Sequence, residues 1–155
     1  MKALIQRVRT ASVRVAGATI AGIDHGILVL LGVEIGDDVA DAVRLAERTV
    51  HLRIFPDDQG KMNNDLVGSG GQALVVSQFT LLADTRRGRR PSYTRAAAPG
   101  VAEALYERYA RAIADLGVRV ERGQFRAMMD VELVNDGPVT LMLESVGRGD
   151  EGRGA

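Results

Sequence analysis

The sequence predicts a mixed α/β fold, in which a single compact domain of mostly antiparallel sheets carries two main helices. The first observation is that alternating apolar and polar runs, typical of half-buried strands, share the chain with two stretches whose apolar residues recur at helical spacing. The second is that 155 residues are the size of one domain. A domain of this size buries a core without staples. The chain has no cysteine, which excludes disulfides and thiolate zinc sites.

Four stretches near the start of the chain predict strands. They are residues 4–9, 12–15, 18–21 and 27–33. The last of them is a continuous apolar run, typical of a central strand. Ala16 and Gly17 predict a short turn between the second and third stretches, and Asp24-His25-Gly26 predicts a second turn before the fourth.

The first helix is expected to begin after Gly36. Asp37 or Asp38 can cap it, because a carboxylate accepts hydrogen bonds from the free N–H groups of the first turn. The helical spacing predicts one buried stripe, formed by Val39, Val43, Ala46 and Val50. His51 falls at the end of the helix, where we expect its ring to face the C-terminal dipole.

The next segment predicts a short strand at residues 52–55 and a turn at residues 56–60. Residues 61–66 are polar and favour neither helix nor strand. The connector Gly68-Ser69-Gly70-Gly71 lacks the trailing lysine of a phosphate loop, so we interpret it as a flexible link.

Residues 73–82 predict an inner strand that is apolar at both ends. Ser77, Gln78 and Thr80 place polar side chains in that strand. Buried polar groups need partners, so these three either form a satisfied network in the core or serve a pocket above the strand. A Ser-His-Asp triad would need a histidine brought from a distant part of the chain.

Four arginines fall within five residues, in a loop closed by Pro91-Ser92-Tyr93. They are Arg86, Arg87, Arg89 and Arg90. The formal net charge of the chain is +0, so any contact with nucleic acid must come from a local patch. The loop is equally consistent with solvated charge and with a phosphate-binding loop in which Tyr93 stacks on a base.

The second helix is expected to begin at Pro99, a residue favoured in the first helical turn. Its apolar face is formed by Val101, Leu105, Tyr109, Ala112 and Leu116. Gly117 follows as the residue that ends the helix. A strand is predicted at residues 118–121.

Two alternating runs near the end of the chain, at residues 129–133 and 139–143, predict two more strands. The stretch 135–140, Asn-Asp-Gly-Pro-Val-Thr, connects them. Asp-Gly is typical of a tight hairpin turn, but the proline that follows fixes its own φ and offers no N–H. The stretch is therefore either a wider turn that ends strand pairing, which it favours when taken alone, or a stiff tip whose bare carbonyl groups are aimed at another group.

The folded domain is expected to span residues 1–146, and residues 147–155 are expected to form a disordered tail because they have no apolar pattern. No apolar run approaches the ~18 residues of a membrane span, so no membrane partner is expected. The absence of cysteine fits a cytoplasmic location.

Together the motifs resemble those of the bacterial D-aminoacyl-tRNA deacylase family. That family carries a Ser-Gln-x-x-Leu motif and an Asn-x-Gly-Pro-x-Thr motif, which stand here at residues 77–81 and 135–140. Further matches are Met1-Lys2-Ala3, Lys61-Met62-Asn63 and Arg90-Pro91-Ser92-Tyr93. The resemblance thus covers residues 1 to about 145. Arg126 is a departure, since many relatives have a small residue there.

This resemblance implies the family's fold and activity. Members hydrolyse the ester that links a D-amino acid to the terminal adenosine of tRNA, and they also act on glycine mischarged on alanine tRNA. The resemblance implies a cytoplasmic homodimer that acts on tRNA and has no metal, cofactor or DNA partner. It also implies that Gly137 and Pro138 form a cis peptide, which enters the partner's pocket as a gate against L-amino acids.

The resemblance further implies the site residues. Substrate binding is assigned to Ser77, Gln78, Phe79, Thr80, Ala127, Met129, Asn135 and Thr140. The concentration of positive charge in the loop, rather than the resemblance, predicts that Arg86, Arg87, Arg89 and Arg90 contact tRNA phosphates. Thr80 is the candidate catalytic side chain, although the family's chemistry is ascribed to backbone groups and to the 2′-hydroxyl of the RNA itself.

Two other functions are compatible with these residues. A non-enzymatic RNA-binding module would use the arginine-rich loop, and an assay for ester cleavage separates it from a deacylase. A serine-type esterase would use Ser77 with His25 or His51, and replacing both histidines would then lower its rate by several orders of magnitude.

Overall fold

A long strand at the start of the chain organises the fold of the computed structural model, which describes residues 1–145. The strands are β1 (Lys2–Val15), β2 (Ala18–Ile23), β3 (Gly26–Gly32), β4 (Phe55–Pro56), β5 (Met62–Asn64), β6 (Gln72–Ser77), β7 (Val120–Arg122) and β8 (Asp130–Glu144). The helices are α1 (Val39–Val50), α2 (Pro99–Asp115) and a short 3-10 helix (Phe79–Leu82). The tail predicted at residues 147–155 lies outside the described residues.

Six of the strands form one mixed sheet with the order β2-β1-β3-β6-β7, and β8 also pairs with β1. β1 pairs antiparallel with β2, β3 and β8, whereas β6 is parallel to both β3 and β7. The parallel pairs arise because α1 lies between β3 and β6 in the chain, and α2 lies between β6 and β7, as crossover connections require. β4 and β5 form a small antiparallel sheet. The predicted mixed α/β class with two helices is confirmed.

The predicted turn at Ala16 and Gly17 is present between β1 and β2. Their φ angles are +50° and +79°, as in a hairpin turn with two left-handed residues. The predicted strand at 27–33 is likewise present as β3. Alternate residues of β3 and β6 belong to two apolar clusters, one on each face of the sheet. The centre of the sheet is therefore buried on both sides, and the larger cluster includes residues of both helices.

Asp38 is the residue that caps α1. Its Oδ1 accepts from the backbone N–H of Asp41 at 3.0 Å, and the Asp41 carboxylate accepts in return from the N–H of Asp38 at 3.0 Å, which is a reciprocal capping box. Asp37 instead accepts from the N–H of Glu34 at 2.6 Å. The predicted stripe is partly wrong, because Val39 is exposed. The buried face is formed by Ala42, Leu45, Ala46, Thr49 and Val50.

The second helix begins at Pro99 and ends before Gly117, whose φ is +89°, as predicted. Its predicted apolar face is wrong at Val101, which is exposed near the helix start. The helix is anchored further along by two tyrosines. The hydroxyl of Tyr106 donates to the carbonyl of Val75 at 2.9 Å, and that of Tyr109 lies 2.8 Å from the Thr49 hydroxyl of α1. Burial raises the pKa of Tyr106 to about 12.

The strand predicted at residues 52–55 is wrong for all but its last residue. The backbone of Ile54 is used otherwise, because its N–H donates to the carbonyl of Leu52 and its own carbonyl accepts from the side chain of Arg7. The small strand β5 falls in the segment without a sequence signal. Arg53 holds that segment through two hydrogen bonds to Asn63, both 2.9 Å long.

Candidate active site

An apolar cleft of about 470 Å³ opens between the end of β6, the start of α2 and the segment before β8. It is lined by Val33, Ser77, Phe79, Ala96, Ala97, Pro99, Ala102, Phe125, Arg126, Ala127, Met128 and Met129. Four of the predicted substrate-binding residues therefore line one cleft, namely Ser77, Phe79, Ala127 and Met129. The lining is mostly apolar, which suits an apolar side chain of a ligand. It contains a single hydroxyl, that of Ser77.

The predicted strand at residues 73–82 is wrong beyond Ser77, where β6 ends and the 3-10 helix follows. The N–H of Gln78 donates to the carbonyl of Leu31 at 2.8 Å. Gly32 makes this close approach possible, because a Cβ at that position would lie 3.2 Å from the Gln78 carbonyl oxygen and 3.3 Å from Leu81 Cβ. The 3-10 helix thus packs against β3. The side chain of Phe79 is exposed and forms part of the cleft wall.

The polar side chains of this motif do not form a buried network. The Nε2 of Gln78 donates to the hydroxyl of Thr80 at 2.9 Å on the exposed surface. Neither Gln78 nor Thr80 lines the cleft. The hydroxyl of Ser77 makes no hydrogen bond within residues 1–145, so it is available to a ligand.

The two histidines contact other parts of the protein. His51 Nδ1 lies 3.2 Å from Asp65 Oδ2, and the ring of His25 packs edge-on against Phe55. In the described part of the chain neither histidine is hydrogen-bonded to Ser77 or Thr80. A serine-type triad is therefore not assembled within these residues.

The segment before β8 forms one wall of the cleft. Phe125 packs against Tyr106 of α2, with ring centroids 6.0 Å apart. Gly123 admits Met129 beside Val76, because a Cβ on Gly123 would lie 2.9 Å from Met129 Sδ. Met128 is 91% exposed. The wall is thus fixed by Phe125 and Met129, while Met128 projects into solvent.

The second motif does not turn the chain back on itself, so the wider turn that its sequence favours is wrong. β8 continues through it, and both halves of β8 pair with β1. Gln6 pairs with Thr140 and Val8 with Asn135, so residues 136–139 lie opposite Arg7 alone. We call residues 135–140 the β8 bulge. The peptide bond between Gly137 and Pro138 is cis, as the resemblance implies.

Side chains of the bulge are hydrogen-bonded to one another. Asn135 Nδ2 donates to the carbonyl of Arg7 at 2.9 Å and to that of Val139 at 3.1 Å. The hydroxyl of Thr140 donates to Asn135 Oδ1 at 3.3 Å and accepts from Gln6 Nε2 at the same distance. Asn135 and Thr140, both predicted to bind substrate, thus hold the shape of the bulge, and neither lines the cleft.

Arg7 supports the bulge from below, a role that the sequence analysis did not predict. It is buried beneath the bulge, where its Nη1 donates to the carbonyl of Ile54 at 2.6 Å. Its Nε lies 3.2 Å from Asp136 Oδ2, in an ion pair without an aligned hydrogen bond. The position of Arg7 in the sequence could have indicated this burial. Arg7 follows Ile5 by two residues in an alternating strand, so both side chains lie on the same, inward face. A buried charge on that face needs partners.

The arginine-rich loop is closed by a bridge between Asp84 and Ser92. Arg86 turns back onto Asp84, with Nη2 2.6 Å from Oδ2 and Nε 2.9 Å from Oδ1. These hydrogen bonds hold the pKa of the Asp84 carboxyl well below its usual range. Arg87, Arg89 and Arg90 are exposed, and within residues 1–145 they have no hydrogen-bond or ion-pair partner.

The loop adjoins the cleft. The ring of Tyr93, just after the loop, packs edge-on against that of Phe79 at 5.0 Å. Within residues 1–145 no group of three or more His, Cys, Asp or Glu side chains could hold a metal ion. No helix in the same part of the chain is long and apolar enough to cross a membrane.

Comparison with known proteins identifies the family. The family model described as D-Tyr-tRNA(Tyr) deacylase matches residues 4–144. The D-aminoacyl-tRNA deacylase of Roseiflexus castenholzii is 57% identical over 94% of this chain and 92% of its own length. That of Pectobacterium atrosepticum is 55% identical over 94% of this chain and 100% of its own.

Two solved structures share the fold. One, titled c-Myc DNA Unwinding Element Binding Protein, is 36% identical with a TM-score of 0.88 and covers 94% of this chain and 99% of its own. The other, titled as a probable eukaryotic D-amino acid tRNA deacylase, is 17% identical with a TM-score of 0.80, covering 92% and 97%. The chain belongs to the D-Tyr-tRNA(Tyr) deacylase family and is an enzyme that hydrolyses the ester bond of D-aminoacyl-tRNA.

Proposed function

We propose that the cleft receives the aminoacyl ester of tRNA and that the β8 bulge of a second copy completes the site as a gate against L-amino acids. The observation that carries this proposal is that the bulge is held in place by hydrogen bonds, yet it lines no part of its own cleft. Within residues 1–145 no hydrogen bond or ion pair joins the two regions. Because the bulge does not line the cleft of its own chain, we infer that it enters the cleft of a second copy.

The edge of the sheet supports a homodimer. β8 pairs with β1 alone among the described strands, which leaves its other edge open for pairing with another chain. Val134, Leu141 and Met142 on this strand are 51%, 37% and 45% exposed. A second copy that covers this edge would shield those side chains and bring its own bulge along with it. Sedimentation should therefore show a dimer at micromolar concentration, and a fully active monomer would contradict the proposal.

The gate is steric. A rigid backbone against one side of the substrate's Cα leaves room for hydrogen only. A D-amino acid places its hydrogen there and its side chain in the apolar cleft, while an L-amino acid would place its side chain against the backbone. Glycine has no side chain, so it passes. The selectivity thus comes from a clash with the unwanted substrate, rather than from added contacts with the wanted one.

For the hydrolysis we propose that the substrate's own 2′-hydroxyl assists and that no side chain acts as nucleophile. Ester cleavage needs a positioned water and stabilisation of the developing oxyanion. The Thr80 hydroxyl is held by the Gln78 amide, which is not a base, so Thr80 is not activated for attack. The unpartnered Ser77 hydroxyl is a donor within the cleft itself.

The remaining predictions concern the whole chain. We propose that residues 1–146 form the deacylase domain, that Arg87, Arg89 and Arg90 contact tRNA phosphates, and that the protein acts in the cytoplasm, where aminoacyl-tRNA is used. Arg86 is bound to Asp84, so its proposed part is to shape the loop.

The test is to measure release of D-tyrosine, L-tyrosine and glycine from matched aminoacyl-tRNAs by the wild-type protein. We expect turnover of the D-tyrosyl and glycyl esters and rejection of the L-tyrosyl ester. Hydrolysis of the L-tyrosyl ester at a similar rate, or resistance of the glycyl ester, would contradict the gate. Adding duplex DNA as a competitor should leave D-tyrosyl-tRNA turnover unchanged if the protein has no DNA partner.

A further inference from the structure

Arg126 occupies an unusual backbone position at the cleft. Its φ is +64°, in the left-handed region that residues with a Cβ adopt at a cost and that glycine adopts freely. Such conformations in non-glycine residues concentrate at ligand-binding sites. Glycine would adopt this backbone conformation at a lower energetic cost, so the presence of an arginine side chain here calls for an explanation.

The guanidinium of Arg126 has an open setting. Arg126 is exposed, and it has no hydrogen bond or ion pair to any residue in the described chain. Among the described lining residues it is the one charged side chain, and the others are apolar apart from Ser77. Met128, which follows two residues later on the same wall, is 91% exposed. An exposed cation therefore lines an otherwise uncharged cleft.

We propose that Arg126 binds the 5′-phosphate of the nucleoside that carries the amino acid. This inference rests on the proposed function, in which the ester lies in the cleft. The ester oxygen belongs to the terminal ribose, and the nearest anion in that substrate is the phosphodiester on the 5′ carbon of the same ribose. A planar guanidinium donates two parallel hydrogen bonds to phosphate oxygens, so Arg126 positions the terminal nucleotide and with it the ester.

The arginine-rich loop has a different part under this proposal. Arg87, Arg89 and Arg90 are not among the residues that line the cleft. They meet phosphates further along the RNA, whereas Arg126 meets the single phosphate of the reacting nucleotide. The two sets of contacts are therefore separable with a substrate reduced to one nucleotide.

The experiment measures equilibrium binding of a pair of hydrolysis-resistant analogues. In both, D-tyrosine is joined through an amide to 3′-amino-3′-deoxyadenosine, and one of them carries a 5′-phosphate. The wild type should bind the phosphorylated analogue about tenfold more tightly, as one charge-assisted contact provides. This preference should weaken as salt is raised.

The variants isolate the side chain from the backbone. Arg126→Gly removes the guanidinium and suits the left-handed backbone, so the fold is retained while the phosphate preference disappears. Arg126→Lys keeps the charge but cannot donate two parallel hydrogen bonds as a guanidinium does, so it should retain part of the preference. Arg111→Ala removes an exposed arginine of α2 that pairs with Asp115, and it should behave as the wild type does.

Two results would overturn the proposal: a wild type that binds both analogues equally, or an Arg126→Gly variant that keeps the wild-type preference. Hydrolysis of D- and L-tyrosyl-tRNA by the same wild-type protein is measured in parallel. Loss of discrimination between these two esters counts against the gate and leaves the phosphate preference to be judged on binding alone.

Discussion

The cleft and the β8 bulge differ in how their side chains are partnered. In the bulge, Asn135, Asp136 and Thr140 are all hydrogen-bonded or ion-paired within the chain, with Arg7 beneath them. In the cleft, the hydroxyl of Ser77 and the guanidinium of Arg126 have no such partner among the described residues. We infer that side chains with internal partners shape the site, while those without partners bind the ligand. Substitutions should accordingly lower stability and selectivity in the bulge, and activity alone in the cleft.

The largest effect is expected from Arg7→Met. This change removes the donor to the Ile54 carbonyl and the partner of Asp136, so it should lower the free energy of unfolding by about 2–3 kcal/mol. It should also abolish discrimination between D- and L-aminoacyl-tRNA, because the bulge loses its support. Denaturant unfolding and the two hydrolysis rates measure these outcomes.

A neighbouring arginine provides the control for Arg7. Arg9 is on the same strand and lies 3.7 Å from the same carboxylate, but its side chain is 75% exposed. Arg9→Met should change the free energy of unfolding by less than about 0.5 kcal/mol. Equal effects of the two changes would show that the charge near Asp136 matters, rather than the buried hydrogen bond.

A smaller loss is expected from Gly137→Ala. The φ of Gly137 is +121°, and a Cβ there would lie 2.9 Å from Val139 Cγ2 and 3.0 Å from Arg7 Nη2. We expect a cost of about 1–2 kcal/mol and a shift of the bulge that weakens rejection of the L-ester. Gly60→Ala is the matched control, because its φ is +78° and nothing lies within 4 Å of the added Cβ. An unchanged D-to-L ratio in Gly137→Ala would count against the bulge as a gate.

Features that depend on neighbouring residues were predicted from the sequence more accurately than features that depend on distant contacts. The helix cap, the helix start at Pro99 and the end at Gly117 depend on chemistry within a few residues. The start and the end were predicted, and the cap was narrowed to Asp37 or Asp38, of which Asp38 is the one used. The burial of Val39 and Val101 was wrong, because both lie at helix starts, where regular spacing no longer shows which residues reach the sheet. Local signals therefore located the elements better than they located the buried face.

The two motifs were found from the sequence, but their shapes were not. Gln78 leaves the strand because Gly32 lets its backbone approach β3, a contact between residues far apart in the chain. The Asp-Gly signal at 136–137 predicted a turn, yet Asn135 holds the chain in one continuous strand through the carbonyl of Arg7, 128 residues away. Arg7 itself was missed for the same reason, since its partners are distant in sequence.

A contrasting pair of substitutions tests the difference between the two regions directly. Asn135→Ala removes the donor to two carbonyl groups and should cost about 1–2 kcal/mol of unfolding free energy. Ser77→Ala removes a hydroxyl without a partner, so its stability should stay within about 0.5 kcal/mol of the wild type. Its turnover of D-aminoacyl-tRNA should nevertheless fall, by about tenfold for one lost hydrogen bond to substrate. Full activity in Ser77→Ala would show that the free hydroxyl is not used.

The smallest effect is expected in the arginine-rich loop, where both kinds of side chain occur side by side. Arg86 is occupied by Asp84, whereas Arg87 has no partner in the described chain. If unpartnered arginines are the ones that meet phosphate, Arg87→Ala should reduce the dependence of tRNA affinity on salt by roughly one unit of slope. Arg86→Ala should leave that slope nearly unchanged. Asp84→Asn, which releases Arg86, should steepen it. Equal loss of slope in both alanine variants would show that an internal ion pair does not prevent an arginine from binding RNA. The distinction between partnered and unpartnered side chains would then hold only for the cleft and the bulge.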